Sequence, residues 1–118
     1  MNARTCVLVI ALFLPILTYA AEPPAPPPDA ARGKQLFLSV GCYQCHGTQG
    51  AGGGIFGPRL APEPLAAPAF SALVRHPRAR MPAYSAAVLS DAQIADIAAY
   101  LRSIPKGKAA ADIPMLNH

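Results

Sequence analysis

Apolar residues recur at helical spacing in three stretches of the chain. The first runs from Ala30 to Val40, directly after Asp29, a residue that favours the N-cap position. A shorter one follows Pro68 and stops before Pro77, and the third, Ser90 to Ile104, opens with the spacing of a capping box. Since no stretch alternates as a strand does, the sequence predicts an all-α fold of three or four short helices.

The segment between the first two helices, residues 47 to 68, is rich in glycine and proline and has no periodicity. Such a long loop is uncommon in a compact domain unless it is functional or wraps around something. The helices also supply few large side chains, so we expect another group to complete the core. Gly33 lies on the apolar face of the first helix. Either the helix tolerates the low helix propensity of glycine there, or another helix approaches closely; we favour the second.

The N-terminal residues 1–20 have the pattern of a secretory signal peptide. Arg4 precedes the apolar run Val7 to Leu14, and a small-x-small cleavage site ends at Ala20. The alternative is an uncleaved anchor, although the apolar stretch from 6 to 21 is shorter than the roughly 18 to 20 residues that cross a bilayer. We therefore expect export to the periplasm and no membrane span after cleavage.

The remaining chain divides into three parts. The proline-rich residues 21–28 are typical of an extended spacer. Residues 29–105 hold all three helical patterns and form the predicted domain, and residues 106–118 are a C-terminal tail.

The charge of the chain is modest, with 10 Lys and Arg against 6 Asp and Glu among 118 residues. Nucleic-acid binders concentrate basic residues in a patch with interleaved aromatic residues, so we expect no nucleic-acid partner. Two cysteines remain after signal cleavage, three positions apart. A pair this close does not build a disulfide framework and points to covalent chemistry.

The chemistry is indicated by the segment Cys42-Tyr43-Gln44-Cys45-His46, the attachment motif of c-type haem. Thiols one helical turn apart can form thioethers with two vinyl groups of one porphyrin, and His46 then binds the iron. A thioredoxin-like site would require a strand before the motif, and a zinc site would require more ligands than the chain supplies nearby. We predict one covalent haem c with its iron.

Met81, in the loop before the last helix, is the candidate for the sixth iron position. A thioether is a soft, neutral ligand that favours Fe(II) and closes the site to external ligands. Three alternatives remain: Met81 is only a core residue, His76 is the ligand, or Met115 in the tail is the ligand.

Together these segments resemble a small class I cytochrome c over about residues 29 to 105. The segments are Gly33-Lys34-Gln35-Leu36-Phe37, Cys42 to Gly47, Gly57-Pro58-Arg59-Leu60, Met81-Pro82-Ala83-Tyr84, and Leu89 through Leu101. The resemblance implies a class I cytochrome c fold whose short helices and long glycine- and proline-rich loops wrap around one covalent haem.

The resemblance also implies roles for individual residues. His46 is the proximal ligand, Met81 is the distal one, and the Pro58 carbonyl accepts a hydrogen bond from the other ring nitrogen of His46. Gly33 and Phe37 cross Tyr100 on the last helix. For Tyr84, Arg75, Arg78 and Arg80, pairing with the haem propionates and a plain solvated face are both open. Lysines are few, so a lysine-ringed docking face is not implied.

The function expected from these observations is a periplasmic single-haem electron carrier that cycles between Fe(II) and Fe(III), with redox proteins as donor and acceptor. It is not expected to be an enzyme. One alternative is a dedicated electron-transfer subunit of a dehydrogenase or oxidase complex. Others are a peroxidase-like or gas-binding haem with an open sixth position, and a haem-free helical domain.

Overall fold

The computed structural model describes residues 24–52 and 56–116. It contains four helices and two 3-10 turns: α1 (Ala30–Ser39), α2 (Tyr43–His46), α3 (Ala67–Arg75), α4 (Asp91–Ser103), and the turns Ala110–Asp112 and Pro114–Leu116. The described residues hold no strand, and the predicted all-α class is confirmed.

The predicted signal peptide, residues 1–20, lies outside the described residues. Among the helices of the described part, none combines the length and the apolar character that a membrane crossing requires.

The helix ends follow local signals in the sequence. Asp29 caps α1, since its carboxylate accepts a hydrogen bond from the N–H of Arg32 at 2.6 Å. At α4, the Ser90 hydroxyl accepts from the N–H of Gln93, and the Gln93 side chain accepts from the N–H of Ser90. The predicted cap and capping box are therefore confirmed.

Helix α3 begins at Ala67, two residues before the predicted start after Pro68, because Pro68 occupies the first turn, where its missing N–H is not needed. It ends at Arg75, two residues before Pro77, as the sequence predicts.

The hydrophobic core lies between α1, α3 and α4. Phe37, Leu89 and Leu101 are its most completely buried large side chains. The rings of Phe37 and Tyr100 meet with their centroids 5.7 Å apart and their planes tilted by 58°. This geometry is close to the edge-to-face arrangement that aromatic pairs prefer.

Helices α1 and α4 make direct backbone contact at Gly33. A Cβ atom on Gly33 would overlap the carbonyl group of Asp96 and lie 2.9 Å from the N of Ile97. The close approach that we favoured from the sequence is confirmed. The resemblance placed Tyr100 opposite both Gly33 and Phe37; Phe37 does meet Tyr100, whereas Gly33 meets α4 about one turn earlier.

The buried Asp96 forms a hydrogen-bonded ion pair with the half-exposed Arg32 beside this contact. Its carboxylate accepts from Arg32 Nε at 2.7 Å, from Arg32 Nη2 at 2.9 Å, and from the N–H of Asp29 at 2.7 Å. The Arg32 hydrogen bonds, helped by the Asp29 amide, hold the pKa of Asp96 below its ordinary value, although burial acts in the opposite direction. The pair therefore attaches the start of α1 to the middle of α4.

We expect Gly33→Ala to lower the free energy of unfolding by about 2 kcal/mol, because the overlap with backbone atoms exceeds the gain in helix propensity. Urea denaturation of the purified protein measures this change. Gly107→Ala is the matched control, since a Cβ there would meet no atom within 4 Å. Equal stabilities for the two variants would contradict the close approach.

We expect the stabilising effect of Asp96 to depend on pH. Its folded-state pKa lies below the ordinary 3.8, so the contribution is complete above that pH and is lost as the pH falls below it. Asp96→Asn should therefore be less stable than the wild type at pH 7, with the difference shrinking at pH 3. Denaturant unfolding at both pH values measures it, with the exposed tail residue Asp112→Asn as control. A difference of the same size at both pH values would be evidence against the ionised pair.

Candidate functional site

The predicted attachment motif forms a single helical turn. Cys42 occupies the N-cap position of α2, and Cys45 lies three residues later on the same side of the turn. The turn stops at Gly47, whose φ of 73° and ψ of 157° suit only glycine. Both thiols are free and half-buried, so the pair is arranged for two attachments along one side of a helical turn.

His46 is the buried residue of this turn, with 8% of its surface exposed. Its Nδ1 lies 2.8 Å from the carbonyl oxygen of Pro58. Because a carbonyl can only accept, Nδ1 carries the proton and the lone pair is on Nε2. The ring is thus fixed in the tautomer that binds a metal through Nε2.

Gly57 makes this arrangement possible by close packing. A Cβ atom at this position would lie 2.8 Å from the carbonyl oxygen of Cys45 and 2.9 Å from Nδ1 of His46. Both distances are shorter than real Cβ contacts, so the loop reaches the imidazole only because residue 57 has no side chain. Gly57 belongs to a segment that carries the family resemblance, but this contact was not predicted from the sequence.

The electrostatic environment of the thiols disfavours a redox-active dithiol. Burial raises the pKa of the Cys42 thiol to about 11. Thioredoxin-like sites lower the pKa of their attacking cysteine to about 7 so that a thiolate is available. A strand before the motif is also missing from the described residues. The Cys42 thiol is therefore protonated at neutral pH, which does not suit disulfide exchange.

The three candidates for the sixth ligand differ in burial. Met81 is half-buried and packs against the hydrophobic core, as Cys42 and Leu60 do. His76 is exposed at the C-cap of α3, and Met115 is 79% exposed in the tail. Of the three, Met81 is the one that packs against the hydrophobic core.

The loop that carries Met81 is joined to its surroundings through Tyr84. The Tyr84 hydroxyl donates to the carbonyl of Val40 at 2.8 Å, and its own carbonyl accepts from Arg75 Nη1 at 2.8 Å. Arg75 also contacts Asp91, with 2.7 Å between Nη2 and Oδ1. Tyr84 and Arg75, for which haem propionates were one open possibility, therefore have partners within the chain. These partners were not predicted from the sequence.

Arg78 and Arg80 lie on the same loop as Met81 and are exposed. Neither makes a hydrogen bond or an ion pair within the described residues.

A cluster of three or more His, Cys, Asp or Glu side chains that could hold a metal ion does not occur in residues 24–52 and 56–116.

The donor set fits a covalently attached haem. The two thiols on one helical turn are unpaired, and His46 has its Nε2 lone pair free because Nδ1 is bound. The Met81 thioether packs against the hydrophobic core. These are the attachment groups and ligands of a c-type haem.

The comparisons with known proteins identify the family. The family model described as cytochrome C oxidase, cbb3-type, subunit III, matches residues 28–101, which is more than half of the chain. Neither curated proteins nor solved structures gave a match. The matched range includes the attachment motif, Pro58 and Met81, so the chain belongs to this family and is, as its resemblance to class I cytochromes c implies, a c-type cytochrome domain that transfers electrons.

Proposed function

We propose that the chain is a periplasmic electron carrier with one haem c, held by thioethers to Cys42 and Cys45 and ligated by His46 and Met81. The observation that carries the proposal is the 2.8 Å contact between His46 Nδ1 and the Pro58 carbonyl. A buried histidine whose Nδ1 is engaged in this way has Nε2 as its single site for a metal. Residues 1–20 would direct the chain to the periplasm.

The haem iron, when bound, supplies a one-electron couple between Fe(II) and Fe(III). The residues of the chain would hold the haem and orient its ligands. The Pro58 carbonyl orients the imidazole and increases its basicity, and Gly57 lets the carbonyl come close enough to do so. Because the His46 ring keeps its orientation, little reorganisation of the imidazole accompanies a change in the oxidation state of the iron.

Met81 distinguishes an electron carrier from a catalyst. Its thioether is neutral and soft, which stabilises the reduced state, and it leaves no position for an external ligand. The packing of Met81 against the core supports this role over the exposed His76 and Met115. Peroxidase-like and gas-binding functions both require the sixth position to be open, so they are disfavoured. We propose redox proteins as the electron donor and acceptor.

A second candidate is an electron-transfer subunit of an oxidase complex. The family description, cytochrome C oxidase, cbb3-type, subunit III, favours this context. The haem ligands and the electron-transfer chemistry would be the same in both cases. The two candidates differ only in whether the domain diffuses freely or stays attached to a larger assembly.

Replacement of the ligand tests the proposed coordination. We expect Met81→Ala to remove the far-red methionine-to-Fe(III) absorption band, to allow carbon monoxide to bind the reduced protein, and to lower the reduction potential. Axial ligands move haem potentials within a range of about 0.8 V, so the change should be well resolved. Optical spectroscopy and redox titration of the purified holoprotein measure these effects.

Variants of the competing residues serve as controls. His76→Ala and Met115→Ala should both keep the far-red band and the potential. If Met81→Ala keeps the band, Met81 is not the ligand. If Met115→Ala loses it, Met115 takes the role instead. If the wild-type protein already lacks the band, no methionine is the ligand and His76 takes the role.

Fractionation of cells separates the free carrier from the complex subunit. A free carrier should appear in the periplasmic fraction as a haem-stained species no larger than the 12.3 kDa of the full chain. Native size-exclusion chromatography measures this. Haem stain confined to the membrane fraction and eluting with a much larger assembly would favour the oxidase-complex alternative.

A further inference from the structure

The segment that holds Met81 lacks backbone support of its own. Within the described residues, 77–83 make no hydrogen bond, whereas the residues on either side are bonded at α3 and at Tyr84. Ala79, in the middle of the segment, has a φ of 58°, a conformation that residues other than glycine seldom adopt. Such a segment keeps its shape because its ends are fixed.

Tyr84 fixes one end of the segment through three separate groups. Its N–H donates to the carbonyl of Val74 at 3.1 Å, and its carbonyl accepts from Arg75 Nη1 at 2.8 Å, so its backbone is attached to the end of α3. Its hydroxyl donates to the carbonyl of Val40 at 2.8 Å. Val40 lies two residues before Cys42, and the Met81 loop is thereby joined to the attachment motif.

Arg75, at the end of α3, also holds the Tyr84 backbone in place. Its side chain is 17% exposed, while Asp91, its second partner, is 82% exposed. An ion pair with so exposed a carboxylate contributes little, because water and salt screen it. The partly buried hydrogen bond of Arg75 to the Tyr84 carbonyl therefore contributes more than the ion pair with Asp91 to holding the Met81 loop in place.

We propose that Tyr84 and Arg75 are positioning residues that keep the Met81 loop closed and so determine how readily an external ligand replaces the Met81 thioether. This inference rests on the proposed function, in which Met81 is an iron ligand. Neither residue is proposed as an iron ligand; both act through the loop.

The physical reason is the population of the open loop. An external ligand can occupy the sixth position only after the Met81 loop has moved away, so its apparent affinity is its intrinsic affinity multiplied by the fraction of open molecules. Hydrogen bonds that exist only in the closed loop keep that fraction low. Removing one of them raises the open fraction and the apparent affinity together.

The test uses imidazole as the external ligand and oxidised holoprotein. Loss of the far-red band reports displacement of Met81 as imidazole is added. We expect Tyr84→Phe to bind imidazole about fivefold more tightly than the wild type, as the net effect of one neutral hydrogen bond. Arg75→Gln, which removes a charged donor, should bind it about tenfold more tightly.

Tyr100→Phe is the matched control. The Tyr100 hydroxyl also donates to a backbone carbonyl at 2.8 Å, that of Thr48, and the contact is partly buried as well. Tyr100 belongs to α4, and its hydroxyl bonds neither to the 77–83 segment nor to Tyr84. Loss of this bond should lower the melting temperature, yet leave the imidazole affinity within about twofold of the wild type.

The outcomes separate the inference from the proposed function. If Tyr84→Phe and Arg75→Gln lower the melting temperature but bind imidazole as Tyr100→Phe does, both residues are merely structural and the inference is wrong. Should Tyr84→Phe fail to fold, Arg75→Gln decides, since it keeps the tyrosine. A wild-type protein without the far-red band, or a Met81→Ala variant that keeps it, would refute the proposed ligation itself and the inference with it.

Discussion

The contact between α1 and α4 at Gly33 is the constraint on which the other elements depend. With no side chain between the two backbones, Asp96 comes within reach of the start of α1, and Phe37 meets the ring of Tyr100. Tyr100 then donates to Thr48, directly beyond α2. The crossing that closes the small core therefore also sets where the attachment motif lies.

The helices could be predicted closely because their limits are encoded locally. A cap such as Asp29, a capping box at Ser90 and a proline such as Pro77 act within a few residues, so no knowledge of the fold is needed. Asp96 could not be predicted in this way. An acidic residue in an amphipathic helix normally faces water, and it is buried here because the start of α1, more than 60 positions earlier in the chain, supplies its partners.

The same distinction applies to the candidate site. The motif from Cys42 to His46 is contiguous, and its chemistry can be inferred from the sequence alone. The contact of His46 with Pro58 was expected from the resemblance, and the structure contains it. The hydrogen bond from the Tyr84 hydroxyl to the Val40 carbonyl was not predicted, because the two residues are 44 positions apart and nothing in the surrounding sequence signals that partner. Met81 as iron ligand stays a prediction.

Two tyrosine hydroxyls bond to the carbonyls on either side of the attachment motif, Tyr84 to Val40 and Tyr100 to Thr48. The motif thus lies between two peptide groups that these hydrogen bonds hold in place. The side chain of Gln44, which is exposed between the cysteines, takes part in neither bond. Position 44 can accordingly carry a spectroscopic label, or a linker that connects the site to an electrode surface. Both tyrosine hydrogen bonds would stay intact.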